Sequence, residues 1–161
     1  MERITRAMIP GSFDPITIGH YDLAMRAERL FDEVWFVLTP NSSKRYKFTA
    51  EQRLEMLNTA FRGHDRIKTG ICEGLLVDYA AEHDITALVK GARNTTDFDY
   101  ELSMALINRS IGNDIETIIL PTRSELMHVS STMVSELIKY GRPYGNYVPE
   151  GVEELIKKYT R

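Results

Sequence analysis

Ala7-Met8-Ile9-Pro10-Gly11-Ser12-Phe13-Asp14-Pro15-Ile16-Thr17-Ile18-Gly19-His20 is the stretch that decides the architecture. A short apolar run of strand character enters a loop stiffened by prolines and glycines, and Thr17 stands where it can cap a helix beginning near Gly19. Strand, loop and helix in that order open a β-α unit. The same alternation continues to the end of the chain.

Outward from that stretch, strand-length runs rich in Val and Ile lie at residues 7–9, 34–38, 67–72, 87–89 and 117–120. Their apolar residues are consecutive, as in parallel strands covered on both faces. Segments of helical period separate them. Leu23, Ala27, Leu30 and Phe31 form one stripe, and Leu54, Leu57 and Phe61 form another behind the capping box Thr49-x-x-Gln52. Leu75, Leu76, Tyr79 and Ala80 mark a third helix, and Phe98, Leu102, Ala105 and Leu106 give a fourth its core stripe. Met133, Val134, Leu137 and Ile138 mark a fifth, and Val152, Leu155, Ile156 and Tyr159 a sixth. The pattern predicts the α/β class: one domain over residues 1–161, a doubly wound, Rossmann-like, five-stranded parallel sheet with helices on both faces. Gly141-Arg142-Pro143-Tyr144-Gly145 reads as a surface connection. The fourth helix carries a second stripe, Tyr100, Met104, Ile107 and Ile111, more apolar surface than one sheet covers. That predicts a homo-oligomer.

Composition narrows the function classes. Twenty basic against 23 acidic side chains leave a net charge of −3, without the basic excess of a nucleic-acid binder. The single cysteine, Cys72, offers neither a disulfide nor a zinc set. No apolar run approaches the ~20 residues of a membrane span. The opening Met1-Glu2-Arg3-Ile4-Thr5-Arg6 lacks a signal peptide's apolar core, so a cytoplasmic protein is expected.

In a doubly wound sheet, ligands bind beyond the carboxyl ends of the strands. After the first strand, His20 falls in the first helical turn, where the helix dipole opposes a charged imidazole. A neutral His there can donate to a phosphate oxygen; the alternative is a ring that only caps or packs the turn. After the second strand comes Asn41-Ser42-Ser43-Lys44-Arg45-Tyr46-Lys47, a solvated basic loop or, through Lys44, a phosphate contact. After the fourth comes Lys90-Gly91-Ala92-Arg93-Asn94, with two cations able to grip a polyphosphate or simply to flank a turn. After the fifth, Val129-Ser130-Ser131-Thr132 brings hydroxyls to a helix start, an anion site or ordinary capping. Four anion-friendly loops at one end of one sheet are more specific than any of them alone. There is no G-x-G-x-x-G, P-loop or G-x-S-x-G motif. His64, His83 and His128 have no metal-ligand spacing, and Asp97, Asp99 and Glu101 read as an acidic helix start, with Glu101 within reach of the neighbouring loop.

Gly11-Ser12-Phe13-Asp14-Pro15 with Thr17-x-Gly19-His20, and Val129-Ser130-Ser131-Thr132, resemble the two signatures of the nucleotidylyltransferase superfamily. Together with Ser43-Lys44, Phe48-Thr49, Gly91-x-Arg93 and Asp97-Phe98-x-Tyr100-Glu101, the chain is similar to the bacterial phosphopantetheine adenylyltransferase family from about residue 7 to the last helix. The resemblance implies adenylyl transfer from ATP to 4′-phosphopantetheine, giving 3′-dephospho-coenzyme A and pyrophosphate, the penultimate step of coenzyme A synthesis. It implies Mg²⁺ travelling with the nucleotide and a hexamer; the residues themselves offer no carboxylate cage, so no metal site of the protein's own is expected. By the same resemblance Ser12 and His20 are catalytic, and ATP is bound by Ser12, Phe13, His20, Gly91, Ala92, Arg93, Glu101, Leu126, Met127, His128, Val129, Ser130, Ser131 and Thr132. Phosphopantetheine is bound by Ser12, Lys44, Leu76 and Lys90. The chain departs from the family pattern at Ser12, commonly Thr, and at Lys90, commonly Arg, whose planar fork suits phosphate better. Two rivals stay open: a transferase of the same fold acting on nicotinamide mononucleotide or a small sugar or polyol phosphate, and a nucleotide-binding module without activity.

Overall fold

Five strands and six α-helices alternate in the computed structural model, which describes residues 4–39, 41–112 and 114–161. The elements are β1 (Arg6–Gly11), α1 (Ile18–Ala27), β2 (Glu33–Leu38), α2 (Ala50–Ala60), β3 (Ile67–Ile71) and α3 (Leu76–Glu82). They continue with β4 (Ala87–Ala92), α4 (Thr95–Ile111), β5 (Glu116–Pro121), α5 (Ser131–Lys139) and α6 (Val152–Tyr159). Met1, Glu2 and Arg3 lie outside the described residues, and with them half of the segment read as lacking a signal peptide. No helix among the described residues is long and apolar enough to cross a membrane.

All strand pairs are parallel, in the order β3-β2-β1-β4-β5. Alternate residues of β1, β2 and β4 feed two cores. Ala7, Ile9, Phe36 and Val89 pack with Ala24, Leu57, Val134 and Ile156 on one face, and Met8, Val37 and Leu88 pack with Val77 and Ala80 on the other. This is the doubly wound sheet that the strand-helix alternation predicts. The chain builds outward from β1 through β2 to β3, then returns to the other side of β1 with β4. The strand order therefore reverses between β1 and β4, and a crevice opens there beyond the strand ends.

Three sequence expectations change. The first stripe was expected to run on through Leu30 and Phe31, but α1 ends at Ala27 and Leu30 is exposed. β4 was expected to end at Val89, but its register with β5 carries it through Lys90↔Ile119, Gly91↔Leu120 and Ala92↔Pro121, so those three residues belong to the strand. The largest change is at α4. Phe98, Leu102 and Leu106 of its expected core stripe are 44%, 44% and 63% exposed, and none of its residues is buried. The helix runs along β4 and the edge strand β5, where there is too little sheet beneath it to cover either stripe.

Candidate active site

At the switch point a cavity of about 610 Å³ opens between the ends of β1 and β4. Its walls come from the β1–α1 turn, the end of β4, the first turns of α4 and the start of α5. One glycine of the wall allows a close approach. At Gly11 an added Cβ would stand 2.9 Å from the Phe13 ring, which folds back over it. Phe13 itself adopts φ +45°, the left-handed region that a bulky residue enters only when its surroundings hold it there.

The turn that follows sets the chemistry of His20. Thr17 is the N-cap of α1, and its hydroxyl accepts from the His20 N–H. In return, His20 Nδ1 accepts the Thr17 N–H at 3.0 Å, completing a capping box. An acceptor nitrogen carries no proton, so in the neutral ring the proton sits on Nε2. Nε2 makes no hydrogen bond among the described residues, and the ring lines the cavity. Burial, then the positive charges of Lys90 and Arg93, lower its pKa from 6.5 to about 4. At neutral pH the cleft therefore contains an uncharged imidazole with a fixed tautomer and a free Nε2–H donor. The two sequence readings of His20, cap or phosphate donor, are compatible because they use different nitrogens.

Three neighbouring segments hold the β1–α1 turn. The Asp14 carboxylate accepts the backbone N–H groups of Lys47 at 2.7 Å and Phe48 at 3.0 Å. Ser131 Oγ donates to the Pro15 carbonyl at 2.8 Å. Arg53, only 4% exposed, donates from Nη1 to the Ser12 carbonyl at 2.7 Å and from Nε to the Phe48 carbonyl at 3.2 Å. Its guanidinium also lies 3.9 Å from the Tyr46 ring centroid. Sequence reading overlooked Arg53, although a signal existed. The buried positions of α2 are Arg53, Met56, Leu57 and Ala60, so a cation occupies the apolar stripe itself.

A second cavity, about 670 Å³, lies between the Gly74–Val77 segment and α4. The two share Pro10, Gly11, Lys44, Lys90, Tyr100 and Glu101. Lys90 is held 3.4 Å from Glu101 at this shared wall, with both side chains largely covered. Arg93 pairs with Asp97 at 3.1 Å, and the Arg93 backbone N–H bonds to the same carboxylate. Beyond the sequence-derived set, Asp22 and Arg26 stand in the first cavity's wall; Asp22 bridges Arg26 to Arg123 outside it, and Arg26 reaches the Pro121 carbonyl, tying α1 to the end of β5.

The cavities sort the residues singled out in the sequence. Phe13, His20, Gly91, Arg93, Leu126, Val129, Ser130 and Ser131 line the first, Ser12 and Leu76 the second, and Lys44, Lys90 and Glu101 both. Ala92, Met127, His128 and Thr132 line neither, and His128 packs edge-on against Tyr147. Of the three hydroxyls at α5, Ser130 is the cap, Ser131 bonds to Pro15 and Thr132 is exposed. His64 bonds to Tyr21, and His83 stacks on Tyr79. Among the described residues no three His, Cys, Asp or Glu side chains gather as a metal set. The cavity acids Asp22, Asp97 and Glu101 each face a cation instead.

A family model described as cytidylyltransferase-like matches residues 8–137. A phosphopantetheine adenylyltransferase of Leptospira biflexa is 43% identical over 155 residues, covering 96% of this chain and 97% of its own. One from Thermotoga neapolitana is 42% identical over 153 residues, 94% and 95% of the two chains. One from Symbiobacterium thermophilum is 44% identical over 144 residues, 89% of each.

Proposed function

This chain belongs to the cytidylyltransferase-like family and, within it, to the phosphopantetheine adenylyltransferases, and we propose how its residues carry adenylyl transfer from ATP to 4′-phosphopantetheine. The products are 3′-dephospho-coenzyme A and pyrophosphate. One observation carries the assignment: two cavities meet at a common wall of two lysines, as a reaction joining two phosphorylated substrates requires. The cleft beside His20 takes ATP, and the cavity beside Leu76 takes phosphopantetheine.

The phosphate of phosphopantetheine is already anionic at neutral pH, so the nucleophile needs no general base. Its oxygen bonds to the α-phosphorus as the bond from that phosphorus to the α–β bridging oxygen breaks, and pyrophosphate leaves with the electron pair. The task of the protein is to hold two anions together and to answer the charge that grows on the α-phosphoryl oxygens. Lys44 and Lys90 hold the attacking phosphate at the shared wall, with Glu101 keeping the Lys90 ammonium in place. Such orientation contributes up to ~7–11 kcal/mol in favourable cases. The Nε2–H of His20 and the Ser12 hydroxyl donate to the α-phosphoryl oxygens, and one preorganised donor of this kind contributes ~2.7–4 kcal/mol. Arg93 and the N-terminal turn of α5 hold the β- and γ-phosphates, and Phe13 supports the nucleotide through its backbone. Gly91, Glu101, Leu126, Val129, Ser130 and Ser131 complete the ATP site from the cavity wall, and family resemblance alone adds Ala92, Met127, His128 and Thr132.

With its acids paired to cations, the cleft fits a Mg²⁺ ion carried by the ATP phosphates better than one held by a carboxylate cage. Mg²⁺ supplies charge neutralisation on the departing phosphates. The proposal extends to one domain over residues 1–161, a cytoplasmic location and, through the uncovered α4, a homo-oligomer, with the hexamer taken from family resemblance. The deciding experiment measures pyrophosphate release from ATP with 4′-phosphopantetheine, nicotinamide mononucleotide or a polyol phosphate as acceptor. Release with 4′-phosphopantetheine alone is expected. Release only with another acceptor, or ATP binding without release, overturns the assignment.

A further inference from the structure

Thr117, on β5, is placed at the floor of the second cavity, opposite Leu88 in the β4–β5 register. Val77, Leu88, Ala105 and Ile111 give this cavity apolar lining, and Asn41, Ser42 and Asn108 add polar groups to it. In that setting the Thr117 hydroxyl is buried with no hydrogen-bond partner, the only side-chain polar atom in that condition among the described residues. An unpaired, desolvated hydroxyl lowers stability, and valine would fill the same volume without that cost. The polar atom has no folding role to account for it.

We propose that Thr117 is a specificity contact for the amide-bearing arm of the second substrate, an inference that rests on the function proposed above. The cavity's volume of about 670 Å³ far exceeds what a phosphate group needs once it is held at Lys44 and Lys90. The remainder suits an extended, largely apolar chain carrying isolated polar groups. A hydroxyl can donate to an amide carbonyl or accept from an amide N–H. A 120° rotation about χ1 carries Oγ1 into the position of Cγ2 and Cγ2 into that of the β-hydrogen, which turns the hydroxyl from its buried position toward a bound arm. The free protein thus bears the cost of an orphaned hydroxyl that the substrate relieves.

Thr117→Val and Thr117→Ser, assayed beside the wild type, test this. Thr117→Val is expected to raise the melting temperature without substrate and to raise the KM for 4′-phosphopantetheine about three- to tenfold, the worth of one neutral hydrogen bond. The ATP KM and the kcat at saturation are expected to stay within about twofold, and Thr117→Ser is expected to keep the wild-type phosphopantetheine KM. An unchanged phosphopantetheine KM in Thr117→Val overturns the inference. So does an equal loss toward ATP, which marks a distorted cleft. A lower melting temperature overturns it too, because the hydroxyl would then be bonded in the free protein. Wild-type enzyme inactive with phosphopantetheine is a different failure, that of the function reading, and takes this inference down with it.

Discussion

Two helices of this chain open with the same local device and meet different fates. At α2 the Thr49 hydroxyl accepts the Gln52 N–H at 3.2 Å, and Gln52 Oε1 accepts the Thr49 N–H at 3.0 Å. At α1 Thr17 and His20 make the same two bonds with an imidazole nitrogen in place of the amide oxygen. The α2 box begins at an exposed threonine away from either cavity, and its work ends at the cap. The α1 box begins at the switch point of the sheet, beside Lys90 and Arg93. There the cap fixes a rigid ring whose second nitrogen is free, and burial, reinforced by the two cations, keeps that ring neutral. The comparison teaches that a capping motif becomes part of a site through where the sheet puts it.

Removing the donor should have the largest effect. His20→Ala is expected to lower kcat by ~10²–10³ with ATP affinity within a few-fold, since the contact strengthens as charge develops. His20→Gln, which copies the α2 box, should recover the stability lost in His20→Ala while kcat stays at least about tenfold below wild type. Steady-state kinetics and thermal melts on the same samples check both; a wild-type kcat in His20→Gln would make the two boxes equivalent.

Next comes Lys90. Lys90→Ala is expected to lower kcat/KM for phosphopantetheine about ten- to a hundredfold, with a much smaller change toward ATP, and Lys90→Arg is expected to retain activity. The same alanine variant should move the His20 pKa upward from about 4, because a cation that opposes protonation has gone. A pH titration of the His20 ring resonances reads this directly.

The pH dependence of stability has a fixed sign. The folded-state pKa of His20, about 4, lies below the unfolded value of 6.5, so the unfolded chain binds the extra proton between the two. The contribution of His20 is fully present above pH 6.5 and is lost as pH falls from there toward 4. Wild-type melting temperatures should decline across that window, and His20→Gln should show a shallower decline. The α2 cap lacks a titrating group, so Gln52→Ala should keep the wild-type slope. That variant carries the smallest expected effect, a loss of ~0.3–1.5 kcal/mol of stability with kcat and both KM values unchanged.

Much of the site was legible in the sequence because it is local. The span from Thr17 to His20 is one helical turn, and the hydroxyl beside the first amides declares a cap without any tertiary partner. The strands were legible too, since a β4 covered on both faces must be apolar at consecutive residues such as Leu88 and Val89. The supports of the site were hidden because they bridge distant positions. Asp14 bonds to Lys47 and Phe48, and Arg53 reaches Ser12 across 41 residues. Nothing in either neighbourhood announces the other, apart from a cation in the stripe of α2.

The sequence by itself determined the α/β class, the caps of α1, α2 and α5, and the loops in which phosphate chemistry could arise, because backbone bonding within a turn and side-chain periodicity are local properties. Only the tertiary structure decided which of those loops converge. The reversal of strand order between β1 and β4 sets Lys90 and Arg93 beside His20, and the edge position of β5 leaves α4 uncovered although its period reads as a core helix. Whether an apolar stripe is buried, or an imidazole is held neutral, depends on neighbours that the chain brings together from far apart, and local spacing carries no record of them.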